Sequence, residues 1–168
     1  MPFEIFHVRD SDKIIREKGL LKDLQVTLEY VDTALYGSLY RRELLRLALE
    51  EMGWQEGRDN GSLNILDGRR YQYKGFKKGV AIEGNFSVYE YILEGLFRLQ
   101  VGFDHKKIET GVLMLTALRS EKSSYGSSLQ LAQNELEQLY PTISLPVTVC
   151  LFDLGVAIIS NGTEEGGE

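Results

Sequence analysis

The sequence predicts an α/β fold: a mixed sheet with helices on both faces. Three observations lead there. Segments with apolar residues at helical spacing alternate along the chain with short continuous apolar runs of strand length, which is the order of a layered α/β domain. Between two of the strand-like runs stands Lys77-Lys78-Gly79, a hairpin turn signal. The chain has 168 residues and is 43% hydrophobic, enough to fill one core and tight for two.

The elements follow in order. Asp10 or Ser11 caps a short helix that ends at Gly19. Leu24 to Tyr30 alternates apolar and polar residues, which predicts a half-buried strand. Ser38 caps a longer helix to about Met52, stopped by Gly53, with Leu44, Leu45, Leu47, Ala48 and Met52 as its apolar face. Glu56 to Ser62 is a glycine- and aspartate-rich loop. Leu63 to Leu66 is a short strand and Asp67-Gly68 a turn. Arg70 to Phe76 and Val80 to Phe86 form the hairpin.

Ser87 caps a helix through about Val101, striped by Val88, Ile92, Leu96 and Leu99. Gly111 to Leu118 is continuously apolar, as a central strand covered on both faces should be. Ser127 or Ser128 caps a helix that turns Leu129, Ala132, Leu136 and Leu139 inward. Pro146 to Leu154 is another buried strand, and Val156 to Ser160 a last one. The expected organisation is one domain over 1–160 and a flexible, acidic, glycine-rich tail over 161–168.

Bulk properties narrow the function. No apolar run approaches the ~18 residues needed to span a bilayer. Met1-Pro2-Phe3-Glu4 lacks the basic and apolar regions of a signal peptide. The one cysteine, Cys150, sits in an apolar run and reads as a buried strand thiol, which fits a reducing, cytoplasmic setting. A net charge of −6 argues against coating nucleic acid with the whole surface, but leaves room for a local footprint. Positions 69–78 supply one: Arg69, Arg70, Lys74, Lys77 and Lys78 with no acid, interleaved with Tyr71, Tyr73 and Phe76. This run is either a phosphate track or a charged guard on an exposed sheet edge.

Glu83 is the residue most open to a chemical role. It follows Val80-Ala81-Ile82, and a carboxylate late in an apolar strand is costly to bury unless it is paired, hydrogen-bonded or metal-bound. Strand alternation puts Asn85 on the same face, about 7 Å along. One acid and one amide in that relation can hold a divalent cation and a water; Mg2+ favours such oxygen donors. The other reading is an edge-strand glutamate facing solvent. His7 and His105 have no second ligand at metal spacing and read as surface residues. Ser123 to Ser128 is a loop and cap rather than a nucleophile.

Glu83-Gly84-Asn85 resembles the Glu-x-Gln or Glu-x-Glu element of BglII- and BamHI-type restriction endonucleases, Mg2+-dependent enzymes of the PD-(D/E)XK nuclease superfamily. The likeness is nearer to the BglII type and runs from about Gly75 to Leu154. It takes in the hairpin to Glu83, Phe86-Ser87, Gly111 to Thr116, Tyr125 to Ser128 with Ala132 to Leu136, and Leu145-Pro146-Val147.

The resemblance implies a restriction-endonuclease-like fold, duplex DNA as partner, a homodimer, a place in restriction–modification, and phosphodiester hydrolysis with Mg2+. Glu83, the Gly84 carbonyl and Asp67 would hold the ion and Asn85 would position the attacking water. The pattern also departs from the family. The hairpin Asp expected across from the Glu falls on Lys74 or Gly75, and Asp67, in a turn signal, is the nearest upstream acid. Glu50 and Glu51 are other sources of an acid. The competing reading is a catalytically silent nuclease-fold module that binds nucleic acid or a partner protein, with Lys74 paired to Glu83. A plain protein-interaction domain is a third. A structure is expected to show Glu83 bonded to Lys74 or facing an incomplete cluster.

Overall fold

The computed structural model describes residues 3–55, 63–86, 92–117 and 127–155, and the backbone of 157–158 and 164–165. In chain order the elements are β1 (Phe3–Val8), α1 (Ser11–Glu17), α2 (Leu21–Leu35), α3 (Arg41–Glu51), β2 (Gly75–Lys77), β3 (Val80–Asn85), α4 (Ile92–Asp104), β4 (Thr110–Thr116), α5 (Leu129–Gln138), β5 (Val147–Phe152), β6 (Ala157–Ile158) and β7 (Glu164–Glu165).

Five strands form one sheet in the order β1-β5-β4-β3-β2. The inner three are parallel, and β1 and β2 run antiparallel at the two edges. Every residue of β4 and β5 is buried, as strands covered on both faces require. Alternation splits the core in two. Val112 and Met114 face Leu24, Leu28, Val31 and Leu45 of α2 and α3. Leu113 and Leu115 face Leu96, Leu99, Ala132 and Leu136 of α4 and α5. The two parallel connections step the same way across the sheet, so crossovers of one hand put α4 and α5 on one face. That leaves the other face to α2 and α3. β6 and β7 form a separate antiparallel ribbon.

The mixed sheet with helices on both faces is the predicted one, but several elements differ. Leu24 to Tyr30 lies inside α2 and is not a strand. Its buried residues Leu24, Leu28, Val31 and Leu35 follow the helical period, and Val26, which created the alternation, is 47% exposed. β1 was not predicted; only Phe3 and Phe6 of it are buried, a spacing of three that hides a strand. Leu63 to Leu66 contributes a single bridge, Asn64 to Gln72. The first hairpin strand is shorter than Arg70 to Phe76, and on its outer side Phe76 donates its backbone N–H to the Trp54 carbonyl at 2.8 Å.

Capping also differs in part. Ser128 caps α5 by accepting the Leu131 N–H at 3.2 Å. Ser38 instead accepts the Tyr40 N–H, ahead of α3. Ser11 is buried in α1, with its hydroxyl 2.7 Å from those of Thr110 and Thr148. The expected loop Glu56 to Ser62, the cap Ser87 with Val88, and the segment Tyr125-Gly126 lie outside the described residues. No helix among the described residues is long and apolar enough to cross a membrane.

Lys77 pairs directly with Val80, so the hairpin turns on Lys78 and Gly79. Both take positive φ, 50° and 84°, as a two-residue loop of the primed type demands. A side chain at the second position is strained. Gly79→Ala should lower unfolding stability by about 1 kcal/mol in urea denaturation, with the far-UV spectrum unchanged.

Candidate functional site

Glu83 lies near the end of β3 on the face covered by α4 and is 2% exposed. A carboxylate so placed needs a compensating charge and donors. It has both. Oε2 accepts the Lys74 backbone N–H at 3.1 Å, and Oε1 faces Arg98 Nη1 at 3.3 Å. The second guanidinium nitrogen, Nη2, pairs with Glu94 one turn earlier on α4, at 2.7 Å.

Two contacts set Arg98 in place. At Gly95 the helix presses so close to β4 that an added Cβ would come within 2.6 Å of Leu113 Cδ1. The Tyr73 hydroxyl donates to the Arg98 carbonyl at 3.0 Å. Arg98 also lies 5.8 Å from the centre of the Tyr71 ring, as does Arg69. Burial pushes the Glu83 carboxyl above its ordinary range, and Lys74 and Arg98 pull it part of the way back. The Tyr73 hydroxyl is pushed up by its own burial and by Glu83.

Glu83, Gly84 and Asn85 line a cleft of about 470 Å3. Its walls carry four basic side chains, Arg41, Arg42, Lys74 and Arg98, against two acidic ones, Glu83 and Glu94. Arg41 also ties α3 to the end of β5, donating to the Leu154 and Gly155 carbonyls at 3.0 and 2.8 Å. An adjoining hollow of about 450 Å3 shares Arg42 and Lys74 and adds Glu43, Arg46, Gln55, Gln72 and Tyr73.

The other sequence candidates scatter. Asp67 is fully exposed on its turn, 3.3 Å from Lys107, and does not line the cleft. Glu50 pairs with Arg46 and Glu51 accepts from the Tyr30 hydroxyl, both away from Glu83. Lys77 pairs with Asp23 at 3.0 Å and lies over Trp54. With Lys78 it occupies the hairpin tip, about 10 Å along β3 from Glu83. Arg69 and Arg70 are exposed beyond the Asp67 turn. His7 and His105 are exposed, and His7 Nδ1 lies 2.7 Å from the Thr148 hydroxyl.

Lys74 does bond Glu83, through its backbone N–H rather than its ammonium. Arg98, Glu94, Arg42 and Arg46 were missed. Each pair is spaced four apart on a helix, a faint signal that any solvated helix face gives equally.

Mg2+ needs hard oxygen donors. Here each Glu83 oxygen already faces an N–H group, and no group of three or more His, Cys, Asp or Glu among the described residues could hold a metal. In this arrangement the residues present do not fit the ion.

Glu83 also fixes a pH response. Its folded value lies above the ordinary 4.5, so the folded chain binds this proton more tightly than the unfolded chain. Its contribution to stability is greatest below the unfolded value and is lost as pH rises through the folded one. The urea midpoint of the wild type, relative to that of Glu83→Gln, should therefore fall as pH rises from the ordinary carboxyl range through the raised folded value. A flat difference would show that burial does not dominate this carboxyl.

No family model and no curated protein sequence matches the chain. Among solved structures it is similar to restriction endonuclease BglII complexed with a DNA 16-mer, at TM-score 0.65 and 14% identity over 91% of this chain and 77% of that one. It is also similar to free BglII, at TM-score 0.57 and 17% identity over 90% and 79% of the two chains. The chain thus has a BglII-like restriction-endonuclease fold, as the resemblance implied.

Proposed function

We propose that this chain binds duplex DNA, with a phosphodiester backbone seated in the cleft floored by Glu83, Gly84 and Asn85. The observation that carries the reading is the basic lining of that cleft in a chain whose net charge is −6. Arg42, Lys74 and Arg98 offer phosphate contacts around Glu83, and Arg46 extends the track into the adjoining hollow. Arg69 lies by the same Tyr71 ring as Arg98, at the edge of the track. BglII, whose fold it shares, is seen with DNA bound. Cys150, single and fully buried, suits a cytoplasmic setting.

Two observations favour backbone binding over Mg2+-dependent hydrolysis: both oxygens of Glu83 are engaged by N–H donors, and Asp67 stands on an exposed turn. In this reading Glu83 orders the basic groups rather than holding an ion. Asn85, half-buried beside it, presents an amide to the backbone instead of positioning a metal-bound water.

Binding to a duplex oligonucleotide, followed by fluorescence anisotropy, should weaken steeply with salt. Charge reversal at Arg42, Arg46 or Lys74 should cost about tenfold each and flatten the salt slope by about one. Reversal at Lys77 or Lys78 should cost far less. Incubation with Mg2+ should leave the duplex intact. Cleavage that needs Mg2+ and disappears in Glu83→Gln would overturn the binding-only reading while leaving DNA as the substrate.

A second copy completes the proposal, because one cleft faces one strand of a duplex. Leu93 and Phe97, one turn apart on α4, are 56% and 66% exposed and offer an apolar contact. Analytical ultracentrifugation should show a dimer that Phe97→Glu splits. A wild-type monomer at every concentration would remove the second copy.

A further inference from the structure

We propose that Arg98 is the resident cation of the Glu83 site, its guanidinium holding the place between the Glu83 and Glu94 carboxylates that a divalent ion could otherwise take. The inference deepens the binding-only reading above, but rests on ion-pair geometry alone. Two carboxylates from different elements, β3 and α4, meet on one side chain: Nη1 faces Glu83 at 3.3 Å and Nη2 faces Glu94 at 2.7 Å. Without a cation between them the two acids would repel.

A guanidinium answers this need permanently, since it stays charged at any physiological pH and its fork meets two oxygens at once. Its position is built rather than incidental. The close approach at Gly95 and the Tyr73 bond to the Arg98 carbonyl hold that turn of α4 against the sheet. The Lys74 backbone N–H closes the remaining side of Glu83. About a third of the Arg98 side chain still faces outward, into the cleft. An anion entering there meets a fixed guanidinium instead of a hydrated metal ion.

The test is a titration of the full chain with Mn2+ alone, read by calorimetry and thermal melting. The wild type should give no binding heat and no shift in melting temperature at millimolar Mn2+. Arg98→Met should bind Mn2+, melt several degrees higher with it than without, and lose both effects when Glu83→Gln is added. If Arg98→Met folds only with Mn2+, or only after Glu83→Gln is added, the guanidinium was the required counter-charge and the proposal stands. Glu83-dependent Mn2+ binding by the wild type would overturn it. So would a folded Arg98→Met that gains no Mn2+ affinity, or an unfolded one that neither change rescues. DNA takes no part in these measurements, so they can fail while the DNA reading stands.

Discussion

A buried carboxylate cannot lie beneath a helix without a counter-charge, and the ion pair between Glu83 and Arg98 meets that constraint here. Much of the local architecture follows from it. To reach Glu83, Arg98 must ride on a helix packed tightly on β4, which Gly95 allows. The segment before β2 must pass close enough for the Lys74 N–H to point at the same carboxylate. That path seats Tyr73 against α4, where its hydroxyl holds the Arg98 carbonyl. One acid on a central strand thus fixes the spacing between the hairpin, the sheet and the covering helix.

The charge distribution gains meaning from this arrangement. The chain is acidic overall, yet the walls around Glu83 are mainly basic. These basic groups come from three places in sequence: α3, the residue before β2, and α4. Arg41 and Arg98 are committed at one end, to the Leu154 and Gly155 carbonyls and to two carboxylates. Charges held in this way lose little freedom on meeting a ligand, which favours a preorganised anion site over a loose electrostatic patch.

What the sequence revealed, and what it hid, follows the range of the interactions involved. The hairpin, β4, β5 and the cap at Ser128 were legible because a few adjacent residues determine them. The continuous apolar runs of β4 and β5 read directly as strands covered on both faces. α2 was misread because Val26, an exposed valine, completed a false alternation over a window too short to show the helical period. β1 was invisible because it exists only through pairing with β5, whose partner residues lie 139 to 149 positions away. At the site, Glu83 stood out because a lone acid in an apolar strand breaks a local rule. Arg98 broke none: an arginine four residues after a glutamate on a helix is ordinary, and its reach to β3 appears only in three dimensions.

The hairpin position opposite Glu83 shows how this fold can change its chemistry without changing its shape. An acid there would give Glu83 a partner for a divalent ion. Lysine adds positive charge instead, and its effect on Glu83 ranks next after burial, ahead of that of Arg98. With that position basic, Glu83 has positive charge on two sides, from Lys74 on the hairpin and from Arg98 on the helix. The sheet is indifferent to the exchange, because β3 pairs with β4 through its backbone and the Lys74 side chain is only half-buried. A scaffold held by its apolar strands therefore leaves the charge of this corner free to vary, and here Glu83 is met by Arg98 and by the Lys74 N–H.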